Sequence, residues 1–541
     1  MITTAAWVPR GFAAPFPQRY KFDEDEFERI AQLARLQLDD ANDELQEARD
    51  REEKPPRQAV SVGSKSKSRQ PGEEEEIEID EDLKEYDLEH YDDDEGEAAP
   101  EGQQMGMFGS IKSLVYHESN EEDPYITLPA GQDEEDEERE ELQILATDNL
   151  VLAAKVEDEL AHLEVYVYED AADNLYVHHD IMLPAIPLCV EWLDVPVGKA
   201  GIAPDSTGNF VAVGTTDPEI ELWDLDTVDC MYPNAILGQI DKLDGDKGQK
   251  KKKKQKKKSK KANDGYHVDA VLSLAANRKH RNLLASASAD KTVKLWDIHT
   301  AKCAKSYTYH TDKVCSLAWH SVEATVLLSG SYDRTVVAAD MRAPDAVAPR
   351  WGVESDVENV RWDPHNSNCF FVSTESGILH YYDIRNAPSN PAAGKPVWKL
   401  QAHDESISSL DINPVIPGFM VTGSTDKTVK LWNMQGSGPA LVVSRNLDVG
   451  KVFSTTFAPD PDVAFRLAVA GSKGTLSVWD TSTNAAVRRA FASKMSEKAG
   501  DDVEERLIGV EDEESGNSDD EDSEQGGTSA NPDSDESMDE D

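Results

Sequence analysis

Three histidine–aspartate pairs recur through the middle of this chain at one spacing. His267 and Asp290, His310 and Asp333, and His403 and Asp426 are each 23 residues apart. Six residues after each aspartate stands Trp296, Ala339 or Trp432. A histidine held by a carboxylate can act as a general base. The same pair can instead be structural, because buried polar groups need partners. The structural reading is favoured. No other grouping points to catalysis. The chain has no G-x-x-x-x-G-K-[ST], no G-x-G-x-x-G after a strand, no H-E-x-x-H and no G-x-S-x-G. Paired carboxylates carry no information where acids are everywhere. His178 and His179 are neighbours on an expected strand and should face opposite sides. No enzyme, metal, cofactor or small-molecule substrate is expected.

The elements that must hold these pairs are repeats. Tripeptides of one type recur: Leu222-Trp223-Asp224, Leu295-Trp296-Asp297, Leu431-Trp432-Asn433 and Val478-Trp479-Asp480. Weaker copies are Val167-Tyr168-Glu169, Ala338-Ala339-Asp340 and Tyr381-Tyr382-Asp383. Around them lie short β-rich runs such as Ala270–Ala276, Leu283–Ala289, Thr292–Ile298 and Cys303–His310, separated by turn signals. Four short strands per repeat read as a propeller blade, and seven copies as a seven-bladed ring over 142–491. Blade one is expected from Asn149–Val156, His162–Tyr168 and Leu175–Ile181, with an acidic break at Glu157–Glu159. Two closures of the ring are open: Ala485–Phe491 as a last outer strand, or a strand lent by Ile111–Tyr116 or Tyr125–Leu128.

Charge divides the 541 residues. The chain carries 106 acids against 55 bases. Residues 1–141 hold 42 acids and 15 bases, and 492–541 hold 20 and 3, without one aromatic. Such segments stay solvated, so 492–541 reads as a disordered acidic tail. Ser518 and Ser534, each followed by acids, suit an acid-directed kinase. Residues 1–22 read as an arm. Residues 23–50 read as an amphipathic helix with Phe27, Ile30, Ala34, Leu38, Ala41 and Leu45 on one face, to pack on the ring or in a partner's groove. Residues 51–141 read as an acidic, largely disordered linker. Its Tyr86 and Tyr91 lie within an acidic run suited to a basic histone or ribosomal-protein surface.

One insertion, about 241–264, breaks the pattern with ten lysines: Lys250, Lys251, Lys252, Lys253, Lys254, Lys256, Lys257, Lys258, Lys260 and Lys261. It reads as a nuclear-import address or a phosphate-gripping RNA arm; lysines alone give affinity without base readout. No apolar run is long enough to span a bilayer, and the start lacks a secretory signal. The five cysteines are scattered without a C-x-x-C pair, as in a reducing compartment. A soluble intracellular protein away from membranes is expected.

The blades resemble the WD40 repeat family. That resemblance implies the relay outright: His267, His310 and His403 bond Asp290, Asp333 and Asp426, and a hydroxyl (Ser286 or Ser288 in blade three) links to Trp296 or Trp432. It also places Lys291, Arg334, Lys427 and Lys473 in turns on one face of the ring. Four cations there could attract RNA phosphates or an acidic peptide, although Asp-Lys is ordinary turn chemistry. The wider layout is similar to one branch of WD40 proteins, the periodic tryptophan family. The matching stretches are Trp7-Val8-Pro9-Arg10-Gly11, the helix 23–50, Glu85-Tyr86-Asp87-Leu88, Ala146-Thr147-Asp148-Asn149-Leu150 and the lysine insertion. The resemblance implies a non-catalytic nucleolar scaffold on large-subunit pre-rRNA, with ribosomal proteins and other pre-60S factors as partners. Two alternatives stand beside it. One is a nuclear histone-binding protein. The other is a cullin-ligase substrate receptor, since Asp340-Met341-Arg342 and Asp383-Ile384-Arg385 partly match W-D-x-R.

Overall fold

The computed structural model describes residues 1–22, four positions between 26 and 30, 139–140, 142–197 without 159, 206–239, 263–494 without 344–345 and 435–437, and 505–509. It is nearly all β, and seven four-stranded antiparallel sheets form a seven-bladed propeller. Blade three illustrates the unit. Val271–Ala276, Leu283–Ser288, Val293–Asp297 and Lys302–Tyr307 pair in sequence order. Blades four (Val314–Trp319 to Arg350–Gly352), five (Val357–Trp362 to Trp398–Gln401) and six (Ser409–Ile412 to Ala440–Arg445) repeat it. Blade two runs from Pro187–Leu193 to Ala235–Leu237. All seven expected tripeptides lie on third strands.

Each sheet alternates residues between two faces, and both faces must be covered. Stacked neighbours cover them. The core is therefore a series of wedges between blades, such as Leu328, Trp351, Val360, Phe370 and Tyr382 between blades four and five. The first strands pack about the axis, where three share one bond. Trp319 donates its indole N–H to Ala275 O at 2.9 Å, and Trp362 to Ala318 O at 3.0 Å. Trp7 donates to Thr456 O at 3.0 Å.

That third bond marks where the ring closes, and the closure differs from both expectations. The innermost strand of blade one is Ile2–Val8, paired with Asn149–Glu157 from Ile2↔Lys155 to Val8↔Leu150. The outermost strand of blade seven is Arg506–Gly509. Ala485–Ala490 is a short helix capped by Asn484, with Val487 and Phe491 buried. The ring therefore draws on both flanks, beyond 142–491. The physical reason is edge satisfaction: three-stranded blade one would leave the Asn149–Glu157 backbone unpaired beside the axis. Ile111–Tyr116 and Tyr125–Leu128 lie outside the described residues.

Past Val8 the chain crosses under blades one and two. Ala14 N–H donates to Asp226 Oδ1 at 3.0 Å, and Gln18–Arg19 pairs in parallel with Thr227–Val228. Of the expected helix 23–50, Glu26, Phe27, Arg29 and Ile30 are described, all helical. Arg29 donates to Pro233 O at 2.5 Å, and Ile30 is buried. That is contact with the ring. The other helix positions lie outside the described residues, as do all of the linker 51–141 but 139–140, the lysines 250–261 and the tail 510–541.

One local expectation fails. His178 and His179 lie on the same side, with Nδ1 atoms 2.8 Å apart. The ladder slips between Val165 and Tyr166, leaving His178 as the extra residue of a β-bulge. Burial lowers the His179 pKa to about 3.

Candidate functional site: polar relays and the turn rim

Blade three brings the sequence-selected residues together. Trp296 Nε1–H donates to Ser286 Oγ at 2.7 Å. Ser286 Oγ lies 2.7 Å from His267 Nε2, and His267 Nδ1 lies 2.9 Å from Asp290 Oδ2. An indole N–H can only donate, so the serine hydroxyl accepts it and gives its own hydrogen to Nε2. His267 then carries its proton on Nδ1 and donates to Asp290. Asp290 also accepts from Thr292 Oγ1 at 2.6 Å and Thr292 N at 2.9 Å. The sequence left Ser286 and Ser288 open; the structure assigns Ser286 to the relay and turns Ser288 Oγ to Asp269 O.

Electrostatics agrees. Burial lowers the His267 pKa against the pull of Asp290, so the ring is neutral. Burial pushes the Asp290 carboxyl up, but its bonds from His267 and Thr292 win and bring it to about 2. Serine, histidine and aspartate in this order have the geometry of an acyl-transfer triad. Here the His267 side chain has 0% exposure and Asp290 1%, and Trp296 occupies the serine oxygen. A substrate has no approach, so the arrangement ties two strands, the turn between them and the loop before the blade's first strand together.

Blade six repeats it with threonine. Trp432 Nε1 donates to Thr422 Oγ1 at 2.9 Å, and His403 spans Thr422 (2.8 Å) and Asp426 (2.9 Å). Blade four keeps His310 on Ser329 (2.9 Å) and Asp333 (3.0 Å) although Ala339 replaces the indole. The Tyr309 hydroxyl stands 3.3 Å from Ser329 Oγ. In blade five Tyr382 donates its own hydroxyl to Gly352 O at 3.4 Å. In blade two Trp223 turns to Glu221 Oε2 at 3.1 Å. In blade seven Val469 stands where blade three has Ser286, and the buried Trp479 Nε1 has no partner.

The four rim cations are three plus one. Lys291 (φ 71°), Arg334 (φ 62°) and Lys427 (φ 68°) hold the left-handed position of their turns, which Gly377 and Gly474 hold in blades five and seven. Lys473 precedes Gly474 and so stands at the aspartate's position. Carboxylates answer three of them: Lys291–Asp312 at 3.8 Å, Arg334–Asp356 at 3.0 Å and Lys473–Asp448 at 2.7 Å. Among the described residues Lys427 makes no ion pair. The turn chemistry accounts for these positions, and their field is largely answered locally.

Sequence reasoning missed the seam between blades one and seven. Buried Arg466 donates to Asp170 Oδ1 at 2.7 Å and to the Tyr168 hydroxyl at 3.1 Å, and pairs with Asp480 at 2.6 Å. Arg506 pairs with Asp173 and stands 3.6 Å from Asp480. One signal was available for the closing strand: Thr4-Ala5-Ala6-Trp7 matches Ser316-Leu317-Ala318-Trp319. The D-x-R pairs close on themselves: Arg342 on Asp340 at 2.7 Å and Arg385 on Asp383 at 2.6 Å. Ser518 and Ser534 lie outside the described residues.

Comparison with known proteins agrees with this architecture. The family model "WD domain, G-beta repeat" matches residues 263–297, 301–337 and 394–433. An uncharacterised WD repeat-containing protein of Schizosaccharomyces pombe is 51% identical over 513 residues, covering 95% of this chain and 94% of the relative. Periodic tryptophan protein 1 of Saccharomyces cerevisiae is 39% identical over 539 residues, 92% of this chain and 90% of the relative. The Periodic tryptophan protein 1 homolog of Drosophila melanogaster is 30% identical over 363 residues, 66% and 73%. With a sealed WD40 ring and kinship of this degree along more than nine-tenths of the chain, the chain belongs to the periodic tryptophan protein 1 family of WD40 proteins.

Proposed function

We propose that this protein is a non-catalytic scaffold in nucleolar assembly of the large (60S) ribosomal subunit. It holds pre-rRNA beside ribosomal proteins or other assembly factors and so supports rRNA processing. The observation that carries the reading is kinship with yeast Periodic tryptophan protein 1 along 92% of the chain. The residues agree in kind. The His–Asp pairs are consumed by architecture. The lysine run 250–261 leaves blade two and returns to blade three, and supplies charge for phosphates. The acidic flanks complement basic protein surfaces. Nucleus and nucleolus are the proposed compartments, and Ser518 and Ser534 the proposed phosphorylation sites.

Nuclease release tests this. RNase should free the protein from nuclear extract and DNase should not; the reverse favours a histone-binding role. The ubiquitin-ligase reading has less support, since Arg342 and Arg385 are spent on their own aspartates. Co-purification of the ligase adaptor would restore it.

A further inference from the structure

Four large apolar side chains stand exposed together under blade two. Met231 is 73% exposed, Phe22 64%, Phe27 59% and Tyr232 37%. Single exposed apolar residues are ordinary, but a contiguous group rimmed by charge marks an interaction surface. The backbone places these four together. Tyr20 N–H donates to Val228 O at 2.9 Å, and Arg29 donates to Pro233 O at 2.5 Å. Between those two ties, the segment that carries Phe22 and Phe27 runs along the loop that carries Met231 and Tyr232. The Phe22 and Phe27 rings meet edge to face, with centroids 6.0 Å apart.

The surface is held in place by its own polar contacts. Glu26 accepts from the Tyr20 hydroxyl at 2.6 Å and from Arg29 Nε at 2.7 Å. The apolar stripe read from sequence is divided here: Ile30 is buried, whereas Phe27 faces solvent. A fixed surface loses little freedom on binding. Aromatic residues and methionine are the types enriched in interfaces, and methionine adapts to what it meets. The charge around them is mainly negative. Residues 19–30 and 224–233 hold eight acids against three bases. Of those bases, Arg29 is bound to Glu26, while Arg19 and Lys21 are exposed. Asp229, close before Met231 in the loop, is exposed as well.

We propose that this patch docks a basic protein segment whose lysines or arginines are interspersed with aliphatic side chains. The aliphatic groups cover Phe22, Phe27, Met231 and Tyr232, and burying that apolar surface supplies affinity. The cations meet the surrounding acids, which sets the choice of partner and speeds its arrival. RNA matches less well, because its phosphates would face those acids. A second copy of this chain would bring the same acids against each other, and the chain carries a net charge of −51. The assignment rests on the scaffold reading and deepens it. It gives a basic partner an apolar anchor, which the acidic flanks cannot supply.

The test uses the full chain and a fluorescein-labelled 15-mer peptide that repeats Leu-Lys-Lys-Leu-Lys. A peptide with serine in place of each leucine carries the same charge and serves as control. Phe27→Ser and Met231→Ser, both at exposed positions, should each weaken the leucine peptide about tenfold, the size of one lost interface anchor. The serine peptide, drawn by charge alone, should bind the variants and the unmutated chain equally. Val347→Ser, at a side chain 99% exposed elsewhere on the ring, should change neither. With Phe27 replaced by p-benzoylphenylalanine, irradiation in nuclear extract should join position 27 to a lysine- or arginine-rich peptide of another protein. Unchanged affinity in both variants, or an equal loss in Val347→Ser, would overturn the assignment. So would crosslinks confined to RNA, to a second copy, or to this chain's own residues 31–137 or 250–261. A Met231→Ser protein with unchanged peptide affinity that still sediments with large-subunit precursors would sink the patch alone. Intact peptide binding at the patch with no precursor association would sink the scaffold reading alone.

Discussion

Trp7 and Thr456 lie 449 positions apart in sequence and share a hydrogen bond of 3.0 Å, indole N–H to carbonyl. The bond fastens the extreme N-terminal strand to the first strand of blade seven. Ala5 N–H donates to Ser454 Oγ at 3.1 Å beside it. The ring is thus closed by Ile2–Val8, which pairs with Asn149–Glu157 of blade one and bonds blade seven through Trp7 and Ala5. Trp7→Ala should cost about 3–5 kcal/mol, the usual range for emptying a buried tryptophan site. Removing residues 1–8 should expose the Asn149–Glu157 edge and favour aggregation. Urea unfolding and limited proteolysis measure both; an unchanged midpoint for Trp7→Ala would contradict this closure.

Ser286 and Ser329 occupy equivalent positions with different demands. Ser286 serves both an indole and an imidazole, whereas Ser329 has no indole to serve because blade four carries Ala339. Ser286→Ala leaves Trp296 Nε1 and His267 Nε2 unpartnered and should cost roughly 1–3 kcal/mol per stranded group. Ser329→Ala should cost visibly less. Chemical unfolding of the two variants side by side checks the order.

Glu221 gives the ring a pH dependence opposite to that of the relay aspartate Asp290. Burial raises its carboxyl from the ordinary 4.5 to about 7. Between those values the unfolded chain has lost a proton that the folded chain keeps. Its stabilising contribution is therefore full below the unfolded value, falls as pH rises toward 7 and is level above. Glu221→Gln should accordingly improve against the unmutated protein on going from pH 4 to pH 8, by at most roughly 3 kcal/mol. Unfolding midpoints of both proteins at the two pH values provide the comparison, and a constant difference would refute it.

Arg466 is the charged centre of the seam, held by Asp480, Asp170 and Tyr168. Truncating one member of a buried ion pair leaves its partner's charge uncompensated, at a cost of about 3–5 kcal/mol. Arg466→Ala should show that loss. Hydrogen exchange should speed up first in Ile2–Val8 and Arg506–Gly509, the two strands brought in from the flanks. Uniform acceleration around the ring would argue against a local seam.

Replacing the ten lysines of 250–261 with serine should leave the ring folded and weaken nucleolar retention. Fluorescence localisation and the salt sensitivity of particle association are the readouts. No change in either would remove that loop from the proposed mechanism.

The blade repeat was legible because its determinants are local. A strand, a turn with aspartate and a strand with tryptophan recur within one blade, so spacing alone places Asp290, Asp333 and Asp426. The relay hydroxyl was ambiguous in sequence, because Ser286 and Ser288 both lie on one strand face and only distance to His267 separates them. The closure was invisible for a different reason. Ile2–Val8 is bound to its blade by pairing across more than a hundred residues, and the only clue was one short match to Ser316–Trp319. The ring of cations shows the converse: Lys291, Arg334 and Lys427 share one turn position, Lys473 stands one residue earlier, and the carboxylates Asp312, Asp356 and Asp448 that pair with Lys291, Arg334 and Lys473 come from other loops.

The central claim is that a closed, sealed ring holds RNA and protein together in a large-subunit precursor. Crosslinking this protein to RNA in living cells and mapping the contact sites tests it most directly. The account predicts sites concentrated in large-subunit rRNA precursors. Sites scattered over messenger RNA, or no RNA contact at all, would contradict it.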